Sequence, residues 1–235
     1  MIKTVKRENG YSGRLTFASL AYQGISRALV RYVPYLPSNG RYNITICHEK
    51  KFLWFRVAKV GTRTIFDVFK QAKVNLDAEH PMFCYYPTKL YNGYFKFAFV
   101  RNPWDRLVSC WKNKVVDSNY YRFSDKQLLK MQSFENFVEF VKSKDIKRCD
   151  HHIRLQSKLI DLNVVDFIGR FERFEEDLIK VTQIIGIEYI KTYKNESKNK
   201  SNYMEYYDDR LQSMVADLYR RDINIFQYDF FNEDM

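Results

Sequence analysis

The hydrophobic residues come in short continuous runs, each followed by a stretch with helical spacing. Phe52-Leu53-Trp54-Phe55-Arg56-Val57 is a compact apolar run that reads as a buried strand, and Ala58 to Gly61 breaks it. From Thr62 to Val74 the apolar residues Ile65, Phe66, Val68 and Phe69 recur as they do on one face of a helix. The pattern then repeats. Tyr94 to Val100 predicts a second strand, Arg101-Asn102-Pro103 ends it, and Pro103 suits the first turn of a helix carrying Trp104, Leu107, Val108 and Trp111. Further helices are predicted near 124–144 and 151–162, a short strand at 166–169, and helices at 172–185 and 207–222, with a polar loop at 191–202. Strands alternating with helices predict an α/β fold, a P-loop-like parallel sheet flanked by helices. In such sheets ligands bind beyond the carboxyl ends of the strands, which is where the loops at 59–64 and 101–109 fall.

The chain has 235 residues, enough for one substantial core, and reads as a single domain. Pro34, Pro37, Ser38, Asn39 and Gly40 form a turn-rich break that closes a basic N-terminal segment, 1–40. Within it, Arg14–Tyr35 fits either a helix packed on the core or a basic amphipathic helix in peripheral contact with a membrane. The net charge of +11 is uneven: residues 1–75 carry all of it, and residues 76–235 balance. A basic face of this kind suits an anionic ligand, nucleic acid or an acidic membrane surface. Cys47, Cys84, Cys110 and Cys149 form no C-x-x-C pair, and their spacing does not resemble a disulfide framework, so free thiols are expected. No metal-ligand cluster is expected either. Met1 to Asn9 is charged and no apolar run approaches membrane-spanning length, so the expected location is cytoplasmic.

Two loops carry the candidate chemistry. In Lys59-Val60-Gly61-Thr62-Arg63-Thr64, Gly61 permits a close turn and the following amides open a helix. Unpaired N–H groups and the helix dipole favour a phosphate there, with hydroxyls from Thr62 and Thr64 and a point charge from Lys59. The order is not that of a Walker A loop, because the lysine precedes the glycine. In the second loop Arg101 leaves its strand as a planar fork suited to phosphate, and Ser109 lies two turns into the helix that follows. Taken singly, the first loop also fits an ordinary strand-to-helix turn, and the second a surface arginine with a helix serine.

Together and in this order, the two loops resemble the 5′-phosphosulfate and 3′-phosphate motifs of sulfotransferases. Arg101-Asn102-Pro103-Trp104-Asp105-Arg106-Leu107-Val108-Ser109 is similar to the R-N-P-x-D-R-x-x-S of Golgi-type carbohydrate sulfotransferases and their bacterial relatives. His152-Ile153-Arg154-Leu155-Gln156 resembles their H-x-x-P-Q segment, and Asp166 to Glu172 their D-F-I-G-x-x-E strand. The stretch from Asn195 to Tyr228 resembles their closing pattern. Ala58 stands where those proteins have proline, Arg63 where they have a small residue, and Leu155 where proline is common.

The resemblance implies the sulfotransferase fold and in-line transfer of a sulfuryl group from 3′-phosphoadenosine 5′-phosphosulfate (PAPS) to a hydroxyl, without a metal. It implies Lys59 at the leaving 5′-phosphate, Gly61, Thr62, Arg63 and Thr64 around that phosphate, and Arg101 and Ser109 at the 3′-phosphate. Lys200, in the polar loop, is a further candidate to close over the nucleotide. A carbohydrate acceptor is implied, with polyanionic and lipid-linked glycans as candidates and no nucleic acid. Among four histidines only His80 falls between the two loops, placed like the base of the heparan-sulfate 2-O-sulfotransferases, and it is the expected base with Glu79 as the alternative. Two other classes compete: a P-loop-like small-molecule kinase, which needs a Walker B carboxylate, and a nucleic-acid-binding module, prompted by the basic first third.

Overall fold

In the computed structural model, the structure describes Ile25 and residues 38–191 and 202–231. Most of the basic segment 1–40 and Lys200 therefore lie outside the described residues. Four strands form one sheet in the order β1 (Ile44–Cys47), β2 (Phe52–Phe55), β3 (Phe95–Val100) and β4 (Phe167–Arg170). β2, β3 and β4 run parallel, with Trp54 beside Phe97 and Phe97 beside Phe167. β1 is antiparallel to β2, Ile44 pairing with Phe55. The sheet is thus mixed rather than purely parallel. Four residues, three of them apolar, joined to β2 by one turn are enough for a hairpin strand, but too short to register as a periodic segment.

All four residues of β2 are fully buried, which explains its uninterrupted apolar run. Trp54 stacks on Phe97 at 5.9 Å, and both belong to a core that includes Phe52, Phe55, Phe69 and Phe99. α1 (Thr62–Gln71) buries Ile65, Phe66, Val68 and Phe69, the four residues whose spacing predicts it. α2 (Pro103–Trp111) has Asn102 as N-cap and Pro103 at its start, as expected, and passes into one π-turn at Lys112–Val116. The expected helix near 124–144 is two, α3 (Asp125–Met131) and α4 (Phe134–Lys142), because the run breaks at Gln132-Ser133 and restarts with extended Ser133 at the N-cap position. α5 (Phe174–Ile184) and α6 (Asp209–Phe226) follow, α6 kinked at Tyr219. Trp104, Trp111, Phe137, Val215 and Tyr219 form a second apolar cluster among these helices.

No helix spans 151–162; the segment is turns and a single 3-10 turn, Gln156–Lys158. Side-chain hydrogen bonds, one set local and one from far along the chain, outcompete the helix here. Asp222 takes the N–H groups of Gln156 and Ser157 at 2.6 and 3.0 Å, and Arg154 folds back onto the carbonyls of Arg148 and Cys149. The four cysteines are free thiols, three of them buried. Among the described residues no helix is long and apolar enough to cross a membrane.

Candidate active site

The loops after β2, β3 and β4 emerge at one end of the sheet, and a single buried side chain ties two of them together. Arg106, 1% exposed, reaches back from α2. Its Nε donates to the carbonyl of Ala58 at 3.1 Å, its Nη1 to that of Arg154 at 2.9 Å and its Nη2 to that of His151 at 3.0 Å. The loop that carries Lys59 and the segment that carries His152 thus hang on one guanidinium. Asn102 does similar work on the other side. Its Nδ2 donates to the carbonyl of Asp229 at 2.8 Å, and its backbone N–H to Glu172 Oε1 at 2.6 Å. Glu172 also accepts from Tyr228 at 3.0 Å, which joins the loop after β3 to the C-terminal segment.

Lys59 and Gly61 both adopt left-handed backbone conformations, with φ of 73° and 79°. Gly61 is held there by packing as well as by its turn, since a Cβ would lie 2.6 Å from the Phe174 ring. Beyond it α1 begins with no acidic residue in its first turn. Thr62 Oγ1 donates back to the carbonyl of Val57 at 3.0 Å, so this hydroxyl braces the loop. Arg63 is exposed and Thr64 half-buried. Burial pushes Lys59 down to about 8, with Lys114, Arg101 and Arg63 adding to the effect and Cys110 opposing it. Its ammonium makes no hydrogen bond or ion pair among the described residues. Three other cations therefore act on the Lys59 ammonium.

Arg101 leaves β3 as expected, but its fork is already occupied. Nε and Nη2 bind the two oxygens of Asp105 at 2.7 and 2.8 Å, Nη1 donates to the Lys59 carbonyl at 3.1 Å, and the guanidinium covers the Phe171 ring at 4.0 Å. Asp105 positions Arg101 one helical turn away, a pairing the four-residue spacing could have announced. Ser109 is half-buried, with a hydroxyl that has no partner among the described residues.

His80 lies against Phe66 of α1, ring to ring at 4.7 Å. Arg56 Nη1 approaches its Nδ1 at 3.1 Å. An arginine only donates, so Nδ1 accepts and the ring proton sits on Nε2. That nitrogen is sealed from solvent, 3.2 Å from Glu79 Oε1. The hydrogen bond from His80 holds Glu79 below the usual carboxylate range against the effect of burial. As placed, neither nitrogen of His80 is open to an incoming proton, which departs from its expected role as base.

A second histidine group, not foreseen from sequence as a unit, lies beyond Arg106. Ligand-capable atoms of Asp150, His151 and His152 fall within 4.8 Å of one another, although no such cluster was expected. The contacts are those of two imidazoles on one carboxylate: His152 Nδ1 to Asp150 Oδ1 at 2.8 Å and His151 Nδ1 to Oδ2 at 3.5 Å.

The profile of the sulfotransferase family matches residues 42–229. An uncharacterized protein of Archaeoglobus fulgidus is 38% identical over 100 residues, covering 42% of this chain and 73% of that one. Carbohydrate sulfotransferase 14 of Homo sapiens is 27% identical over 187 residues, covering 68% of this chain and 48% of that protein. Carbohydrate sulfotransferase 10 of Xenopus laevis is 27% identical over 173 residues, covering 58% and 48%. The chain spans about half the length of the carbohydrate sulfotransferases it matches. No solved structure matches it.

Proposed function

The chain belongs to the sulfotransferase family, and on that premise we propose that it moves the sulfuryl group of PAPS to a hydroxyl of a carbohydrate. The observation that carries this reading is the convergence of Lys59, Arg63, Arg101 and Lys114 where burial already disfavours the charge on Lys59. Asp105 is the carboxylate paired with this group, through Arg101, and cations in such excess are a site for a polyanion, which favours the charged form of Lys59 on binding. The helix start after Gly61 supplies N–H groups with no intrahelical acceptor, and Thr64 lies in that first turn. Ser109 and the two Arg101 N–H groups not taken by Asp105 or the Lys59 carbonyl are the proposed contacts to the 3′-phosphate. Lys59 is the proposed stabiliser of charge on the leaving 5′-phosphate, where a preorganised cation acts most in the transition state. The carbohydrate acceptor is proposed from the relatives, which are carbohydrate sulfotransferases.

The test is direct. Labelled PAPS is offered with a panel of glycans, and transfer of label to at least one is expected without added metal. In parallel, adenosine 3′,5′-bisphosphate should raise the melting temperature more than AMP does. At a concentration 100 times its dissociation constant the gain is about 2.7 kcal/mol. Equal shifts for the two nucleotides, with no transfer to any glycan, would sink the reading.

A further inference from the structure

We propose that Asp150 and His152 together are the proton acceptor for the attacking hydroxyl, with His152 Nε2 as the accepting atom. The proposal rests on the sulfuryl-transfer reading and assigns its base.

The first argument is the tautomer. Asp150 Oδ1 lies 2.8 Å from His152 Nδ1 and also takes the backbone N–H of His152 at 3.0 Å. Its Oδ2 accepts from Tyr120 at 3.0 Å. Burial alone would raise Asp150, but the hydrogen bonds from His151 and His152 outweigh it and hold the group well below the carboxylate range. An ionised carboxylate accepts, so His152 Nδ1 carries the ring proton and Nε2 the lone pair. Nε2 has no partner among the described residues and is not sealed from solvent. His80 has the reverse arrangement, with an arginine on its lone pair.

The second argument is place. Arg106 binds the carbonyl beside His152 and the carbonyl beside Lys59 at once. Lys114 acts electrostatically on both Lys59 and His152, and its ammonium lies 4.4 Å from the Tyr120 ring that in turn packs on His152 at 4.8 Å. An imidazole lone pair with no partner among the described residues therefore shares Lys114 with the cation cluster proposed for the donor.

The groups facing His152 are Asp150, His151, Lys114 and Tyr120. Burial pushes His152 down to about 3, and His151 and Lys114 add to this while Asp150 opposes it. A polyanionic donor against Lys59 and Lys114 acts in the opposite direction and raises the basicity of His152. Donor binding thus prepares the base. In the transfer step the acceptor oxygen bonds to sulfur. The bond from sulfur to the 5′-phosphate oxygen breaks, and its electron pair leaves with the nucleotide. The hydroxyl proton passes to His152 Nε2 and then to water.

Two measurements test this. Nitrogen NMR of the imidazoles, with and without adenosine 3′,5′-bisphosphate, should show His152 neutral with its proton on Nδ1 at neutral pH. Its titration should move upward when the nucleotide binds. A proton on Nε2 overturns the proposal. In kinetics with labelled PAPS and a glycan the native protein sulfates, His152→Gln should lower turnover by about 10²–10⁴ with nucleotide affinity unchanged. Asp150→Asn should lower turnover less and shift the acid limb of the pH profile. A His152→Gln protein that binds nucleotide and transfers at the native rate overturns the proposal and returns the base role to the His80–Glu79 pair. If the native protein sulfates nothing, the sulfuryl-transfer reading itself fails, and the NMR result still decides the tautomer.

Discussion

Arg106 Nε donates to the carbonyl of Ala58 at 3.1 Å, so a residue on the second anion loop sets the backbone of the first. The two loops are 42 positions apart at Lys59 and Arg101, yet the second also reaches the first directly through Arg101 Nη1 and the Lys59 carbonyl at 3.1 Å. One loop cannot shift without straining the other.

Arg106→Lys should therefore damage the protein although charge is kept. An ammonium cannot reach three diverging carbonyls as the planar fork does. With buried acceptors left unpaired, the expected loss is about 2–5 kcal/mol, read as a lower denaturation midpoint. Nucleotide affinity should fall as well. A variant with native stability and native affinity would show that the clamp is dispensable.

Gly61→Ala should destabilise and weaken nucleotide binding together. The residue has φ of 79°, and a Cβ would meet the Phe174 ring at 2.6 Å. The expected cost is about 1–3 kcal/mol from backbone strain and overpacking. Gly61→Ala combined with Phe174→Leu should recover the packing part only. If the single variant melts and binds as the native protein does, the tight turn has no role in shaping the loop.

Lys59 should take up a proton when nucleotide binds. Unliganded, it titrates at about 8, so near that pH it is half charged. A polyanion favours the charged form and raises the value. Calorimetry of adenosine 3′,5′-bisphosphate in two buffers of different ionisation heat should then show uptake of about half a proton near pH 8 and almost none near pH 6. The Lys59→Met variant should show no such uptake. Equal uptake in that variant would place the titrating group elsewhere.

Much of this arrangement is legible in the chain, and what is not has a physical reason. The buried strands at 52–55 and 95–100 and the faces of α1 and α2 follow from apolar spacing alone, because each element buries its own pattern. The loops after them were marked by glycine, proline and cations in sequence order. Hidden from sequence were features decided across long separations. Asp222 draws the 156–157 backbone out of a helix from 65 and 66 positions away. Arg56 meets His80 across 24 positions and takes the lone pair that would make it a base. Asp150 and His152 are near neighbours, but the role proposed for them depends on Arg106, which binds the carbonyls of His151 and Ala58 at once.

The outer side of β1 carries a consequence of its own. Ile46 exchanges hydrogen bonds with Ala78 at 2.9 and 3.2 Å, and Tyr42 does so with Cys84 at 2.9 and 3.1 Å. The segment between those anchors, which contains Glu79 and His80, is therefore a cover on the border of the sheet. An uncovered strand border is a template on which other copies of a chain can stack. Peeling this segment away would bare four buried residues of β1 along with it. Loosening around His80 should thus appear in solution as self-association, so clumping on mild heating would report on this corner before the rest of the molecule melts.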